Sequence, residues 1–264
     1  NVSGVAGRAK GYTMKNILFV ISEDWYFVSH RLHIAVKAIE MGFTVTLLTR
    51  VSQHKLSIES LGIIVIDWPF TRGGANIFGS VRSIVAIMRA IKRSNSEIIY
   101  AVAIKPILFS SLAGTLCGIS NKVFTLGGVG FIFSTNRVSA KFIRPVLINI
   151  LRLALRGKKT RLILQNKDDC EIFSAYKIIK SKQLILIRGS GVDIDTFLPK
   201  KINGNLITVV LPARMLWDKG VGEFVSCAED LKKVFTKVRF CLVGGTDIQN
   251  PESVPETQIK IWTD

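Results

Sequence analysis

Acidic residues are scarce in this sequence. Nineteen Asp and Glu stand against 36 Lys and Arg over 264 residues, a formal net charge of +17. A surplus of that size points to an anionic partner: a phosphorylated substrate, an acidic membrane surface or nucleic acid. Histidine is scarcer, with three, and there are four cysteines, Cys117, Cys170, Cys227 and Cys241. No two cysteines form a C-x-x-C pair and no Cys/His spacing fits zinc, which argues against a metal-finger module. The thiols read as reduced and mostly buried, which points to the cytoplasm. Basic motifs interleaved with aromatics are missing, so nucleic acid is the weaker partner. Low-complexity tracts and internal repeats of about 20–50 residues are missing too, which argues against disorder and against a solenoid. Residues 1–13, Gly-rich and polar, have no apolar segment and are not a signal peptide. They read as a non-native leader, with the protein proper starting at Met14.

Apolar residues make up 48% of the chain, ample for a core. The longest apolar run, Ile98 to Ser120, is long enough to cross a bilayer. Lys105-Pro106 and the later Gly114 and Gly118 break it into a buried strand, a turn and a helix. Before it, Lys15 to Ile21 reads as a strand and Ser22 to Val28 as a loop. Ser29 then looks like the N-cap of a helix closed by Gly42, followed by a strand at Phe43 to Leu48. Further strands are expected at Ile63–Ile66, Glu97–Val102, Lys122–Thr125 and Leu162–Leu164. Helices are expected at Ile77–Arg93, Ile107–Cys117, Phe142–Leu155 and Asp168–Ala175. Strands alternating with helices imply a doubly wound parallel sheet. Asp193 to Asn205 is a polar connection. After it the pattern restarts: strand Leu206–Leu211, helix Gly220–Val234, strand Val238–Val243, then a polar stretch to Asp264. The fold class is therefore α/β. A Rossmann-like domain is expected over 14–195, a linker over 196–205, and the start of a second domain over 206–264.

Three segments carry a resemblance: Arg188 to Pro199 (RGSGVDIDTFLP), Ala213 to Phe224 (ARMLWDKGVGEF) and Val238 to Gly245 (VRFCLVGG). With the SHRLHIAVKAIEMGFTVTLLT opening, Ile104-Lys105-Pro106, the Gly127-Gly128-Val129-Gly130 loop and Asn166-Lys167-Asp168-Asp169, their order resembles the family 4 glycosyltransferases, which have the GT-B fold. Within that family the chain is most similar to bacterial transferases that build lipid-linked glycans. The resemblance implies a retaining transfer of a sugar from a nucleotide-sugar donor, UDP-linked, to a polyprenyl-diphosphate-linked acceptor. The family's Arg and Lys, spaced like Arg214 and Lys219, hold the donor diphosphate. The physical sense is plain: negative charge grows on the diphosphate as the glycosidic bond breaks, and fixed cations there favour the transition state over the ground state. No metal or other cofactor is needed. The third domain-level feature of the family, an E-G-x-P segment with a second glutamate eight residues on, has no match, since Glu256 and Asp264 lack its context. The catalytic assignment is thus left unknown, and the resemblance implies a C-terminally truncated chain with little or no transferase activity of its own.

Other residues are weighed one by one. Asp193-Ile194-Asp195 is formally a D-x-D metal motif but lies in the linker turn, so a structural role is favoured. His30 and His33 sit three apart on one helix face with no third ligand, which makes a metal site unlikely. His30, Lys105, Gly128 and Gly130 are the acceptor-side candidates. Lys105 reads equally as a snorkelling surface lysine, and the glycines equally as a tight turn. Related enzymes often carry a histidine near the strand end where this chain has Tyr100. The stretch Lys141 to Arg161 carries seven cations and an apolar face, Leu147, Ile150, Leu151, Ala154 and Leu155. It reads as a packed helix with a solvated basic face or as a peripheral contact with an anionic inner membrane leaflet. Two rival functions follow: a non-catalytic α/β protein that binds acidic lipid or glycan, and a GT-B sugar-nucleotide epimerase, for which the cleft acids and histidine are not found.

Overall fold

The computed structural model describes residues 15–70, 77–128, 138–199, 206–247, 250 and 252–263, with side chains 138–143 excepted. The chain divides into two compact units, Asn1–Val192 and Asp193–Asp264. The first holds seven parallel strands: β1 (Asn16–Glu23), β2 (Thr44–Arg50), β3 (Ile64–Asp67), β4 (Ile98–Val102), β5 (Asn121–Leu126), β6 (Thr160–Leu164) and β7 (Leu184–Leu186). Their spatial order is β3-β2-β1-β4-β5-β6-β7. The order reverses between β1 and β4, so the carboxyl ends of those two strands flank the crevice where open α/β sheets take ligands.

The sequence explains the layering. In β1, NILFVISE, Leu18 and Val20 point to one face and Phe19 and Ile21 to the other, and all four are buried. Strands covered on both faces read as continuous apolar runs, as this one does. Phe19 and Ile21 share a cluster with Phe27 of α1 (Asp24–His30), Ala35 of α2 (Leu32–Glu40) and Ile58 of α3 (Lys55–Glu59). Leu18 and Val20 belong to the larger cluster on the opposite face. It includes Ile87 of α4 (Ile77–Ser94), Ile107 and Ala113 of α5 (Ile104–Leu116), Leu151 of α6 (Val138–Ala154) and Phe173 of α7 (Lys167–Ala175). Gly42 follows α2 with φ +84°, the left-handed closure expected of it.

Several expected boundaries move, each for a physical reason. The segment expected as a loop at Ser22–Val28 is the end of β1 and most of α1. Ser29 is no N-cap: its hydroxyl donates to the carbonyls of Trp25 and Tyr26, back along α1. The helix expected from there to Gly42 is two helices with a break at Arg31, so His30 and His33 lie on different helices rather than on one face. Helix α5 begins at Ile104 and takes Lys105-Pro106 into its first turn, where a proline forfeits no intrahelical hydrogen bond. Among the described residues no helix is long and apolar enough to cross a membrane. The apolar run at Ile98–Ser120 is β4 and α5.

Among the described residues the second unit carries two parallel strands, β8 (Ile207–Pro212) and β9 (Val238–Val243), with α8 (Val221–Val234) between them and α9 (Glu256–Thr263) after. Met215, Val221 and Val254 form its core, with Leu211, Leu242, Ile259 and Trp262 packed against them. The stretch read only as polar after Val243 therefore contains a helix. Ile259 and Trp262, three apart, supply its packed face, and Trp262 meets Trp217 edge-on at 5.7 Å between ring centroids. The Asp193-Ile194-Asp195 motif closes a local turn: the Asp193 carboxylate accepts from the backbone of Asp195 and from the Thr196 hydroxyl at 2.8 Å.

Candidate functional site

Strand β8 ends at Pro212 and the chain passes through Arg214 to a short turn at Trp217–Lys219 before α8 begins. Gly220, at φ +72°, takes the left-handed conformation that lets the turn join the helix. Arg214, Lys219 and the first-turn amides of α8 thus all belong to one strand-to-helix connection at a carboxyl strand end, where the helix dipole favours anions. The two cations are engaged differently. Arg214 Nη1 lies 2.8 Å from Asp247 Oδ2, while Lys219 Nζ lies 3.8 Å from Asp218 Oδ2. Asp247 was not singled out by sequence reasoning. Its only signal there is its place four residues after β9 ends at Val243, as Arg214 stands two residues after β8 ends at Pro212.

Gly244 is what lets the two strand ends approach. Its φ is +155°, and a Cβ added there would fall on the Ala213 carbonyl. Gly244→Ala is therefore expected to destabilise the second unit by about 3 kcal/mol, because backbone rather than a flexible side chain must yield. A urea midpoint unchanged from the wild type would contradict this.

The switch point of the first unit gathers a second group. Glu23 ends β1 and pairs with Arg50 at the end of β2, 2.9 Å from Nη2 to Oε2. Asp24 opens α1 and is fully buried. Its carboxylate accepts from the backbone N–H groups of Trp25, Ser52, Gln53 and His54 and from the Ser52 hydroxyl. Burial alone would raise its pKa; these hydrogen bonds, Ser52's first, outweigh it and hold the group at about 2. His30 ends α1, its ring stacked on Tyr26 at 4.4 Å and its Nδ1 2.6 Å from Ser29 Oγ. Burial, then the charge of Arg31, pushes its pKa below the usual value, so it is neutral at pH 7. Arg31 itself is 2% exposed and reaches Ser190. Tyr100 is buried in β4, its hydroxyl 3.0 Å from Thr125 Oγ1 and its ring 4.9 Å from Phe19.

Lys105 stands in the first turn of α5, at the carboxyl end of β4, after Ala103, whose φ of +79° is strained for a residue with a Cβ. Gly128 follows β5, and among the described residues nothing lies within 4 Å of where a Cβ would project. Gly130 lies outside the described residues. His30, Lys105 and Gly128 thus share the carboxyl edge of one sheet, while Arg214 and Lys219 belong to the other unit. Among the described residues no three His, Cys, Asp or Glu side chains cluster as a metal site.

A family model described as glycosyl transferase 4-like matches residues 16–166, more than half of the chain. The chain belongs to the glycosyl transferase 4-like family. A curated relative, N,N'-diacetylbacillosaminyl-diphospho-undecaprenol alpha-1,3-N-acetylgalactosaminyltransferase of Campylobacter jejuni, is 27% identical over 212 residues, 75% of this chain and 55% of its own. Among solved structures, a glycosyltransferase from Rickettsia africae superposes with a TM-score of 0.59 at 20% identity, covering 96% of this chain and 63% of that one. Anabaena HepE, crystallised with UDP and glucose, does so with a TM-score of 0.65 at 17% identity, covering 95% and 65%. The fold is that of the GT-B glycosyltransferases. This glycosyltransferase-family chain spans just over half the length of the curated relative it matches.

Proposed function

We propose that this chain works as part of a glycosyltransferase that moves a sugar, with retention, from a UDP-linked donor to a polyprenyl-diphosphate-linked glycan. Family membership supports the reaction class. The Campylobacter relative, named for transfer onto a diphospho-undecaprenol acceptor, supports the acceptor class. The observation that carries the donor assignment is the β8–α8 connection, where Arg214, Lys219 and a helix N-terminus share one carboxyl strand end. Arg214 grips phosphate oxygens through its planar fork and Lys219 adds a point charge. Lys105, His30 and the Gly128–Gly130 loop serve the acceptor side.

Arg214 donates through Nη1 to Asp247 Oδ2 at 2.8 Å. The diphosphate must replace it, so Asp247→Asn is expected to tighten UDP binding about threefold, the effect of weakening one exposed ion pair. Calorimetric titration of UDP tests both statements. Saturable binding supports the donor reading; no binding of UDP or other nucleoside diphosphates overturns it.

A second observation favours contact with an anionic membrane surface. A cavity of about 670 Å³ between the ends of α6 and α7 is lined by Arg152, Arg156, Lys158, Lys177 and Lys180 over a floor of Leu155, Ile178 and Ile179, with no acid. Such a groove would bring the transferase to its lipid-linked acceptor at the inner face of the cytoplasmic membrane.

A further inference from the structure

We propose that Arg31 is an anion receptor whose guanidinium binds a phosphoryl group of a diphosphate at the switch point of the first unit. On the reading above, which supplies this part, the diphosphate is that of the lipid-linked acceptor.

The break between α1 and α2 leaves residue 31 in neither helix, with φ −134° and ψ −11°. Its side chain turns inward, to 2% exposure. One nitrogen is satisfied: Nη1 donates to Ser190 Oγ at 2.8 Å and to the His30 carbonyl at 3.0 Å. The other two, Nε and Nη2, are buried and have no hydrogen-bond partner among the described residues. Arginine cannot escape by losing its proton, as a buried lysine would. An unpaired buried charge is costly enough to call for a cause.

The nearby carboxylates do not supply one. Asp24 is taken by the Ser52–His54 turn, and Glu23 holds Arg50 through Oε2 alone. Nε and Nη2 lie on the same edge of the guanidinium, the edge that grips two oxygens of one phosphoryl group or carboxylate side by side. A tether between the α1–α2 break and the loop after β7 would account for Nη1 and leave that edge unexplained. Ser190 is set against Arg31 by a loop made for it: Gly189 and Gly191 on either side have φ of +67° and +74°. Tyr26 forms the cover. Its ring lies 5.9 Å from Arg31 Cζ and stacks on His30, so an arriving anion turns it aside. Burial lowers the pKa of His30 and raises that of Tyr100, so both stay uncharged beside Arg31 at pH 7.

The test uses calorimetry on the full chain with three probes: farnesyl diphosphate, inorganic pyrophosphate and UDP. Arg31→Met is expected to weaken farnesyl diphosphate binding at least about tenfold, the loss of one charge-assisted fork, and to leave UDP binding unchanged. Without ligand its melting temperature should equal or exceed the wild type's, because an apolar side chain of similar size replaces an unpaired charge. Arg31→Lys, which keeps the charge and loses the fork, should fall between. Ser190→Ala removes the tether alone and should leave diphosphate binding within about threefold of wild type. The proposal is overturned if Arg31→Met and Arg31→Lys melt lower and bind both diphosphates as before, since Arg31 is then only a tether. Dependence on Arg31 for pyrophosphate but not for farnesyl diphosphate overturns the lipid-linked assignment. Loss of UDP binding by the wild type would sink the donor reading and leave this one to be decided by the diphosphate arms.

Discussion

Lys219→Ala lowers the affinity of the chain for UDP by about ten- to a hundredfold, and Arg214→Ala by at least as much. Hydrogen bonds to charged groups contribute about 1.5–3 kcal/mol each, which is that range of affinity. The two cations differ in what they must give up. Lys219 is held only loosely, 3.8 Å from Asp218, so its charge is available to a ligand at little cost and its loss is uncompensated. Arg214 must exchange Asp247, at 2.8 Å, for phosphate oxygens. Its alanine variant leaves Asp247 as an unopposed negative charge beside the incoming diphosphate, which adds repulsion to the lost contact. Arg214→Lys separates charge from geometry: it should recover part of the affinity and none of the paired-oxygen grip. Both cations are about half exposed, so wild-type affinity should also fall as salt rises. Unchanged UDP affinity in both alanine variants would remove Arg214 and Lys219 from the donor site.

The strands were legible wherever apolar residues ran on without interruption. LFVI in β1 and TVTLL in β2 are buried segments whose composition admits little else, and VRFCLV in β9 is read as a strand although Arg239 and Val243 are exposed. The misses share a cause. Helix α1 opens on DWYF, whose aromatic and polar residues lack helical periodicity, because its stability comes from Asp24 and Phe27 being drawn into the core. Helix α3 and strand β7 are five and three residues long, too short to show a period. The short helix α9 offers only Ile259 and Trp262 as its packed pair, and Trp217 from far along the chain completes the contact.

The candidate site was legible by motif and not by partner. Arg214 and Lys219 stand out because the strand and helix around them are readable locally. Asp247, Arg50 and Ser190 join their partners across 33, 27 and 159 residues of sequence, and nothing in the linear order announces those pairings. Arg31 sat in plain view inside SHRLH, and a helical reading of that segment gave it no role. Only the break at residue 31 turns it inward. The Asn166-Lys167-Asp168-Asp169 element is the reverse case. There the motif is a helix cap, Asn166 Oδ1 accepting from the Asp169 N–H at 2.7 Å, and the residues three apart are all it needs.

Asp24→Asn should destabilise the first unit by about 3 kcal/mol at pH 7, more than most single substitutions. Four backbone N–H groups converge on that carboxylate, from Trp25, Ser52, Gln53 and His54. An asparagine offers one oxygen and turns an NH2 group toward donors, leaving buried N–H groups without acceptors. The same geometry sets an acid limb. The folded-state pKa is about 2 against an ordinary 3.8, so the group stabilises the fold fully above pH 4. That stability, about 2 kcal/mol by the size of the shift, is lost as pH falls from 4 to 2. Subtracting the variant's urea midpoints from the wild type's at each pH isolates this group from the other carboxylates. The difference should shrink between pH 4 and 2 and stay flat between pH 5 and 8; a difference independent of pH throughout would show that folding does not lower the pKa of Asp24. The consequence reaches the switch point. Asp24 ties the start of α1 to the turn after β2, and α1 carries Tyr26 and His30 over Arg31. Loosening that tie should weaken diphosphate binding at Arg31 while leaving UDP binding at Arg214 and Lys219 untouched, because the two groups belong to different compact units.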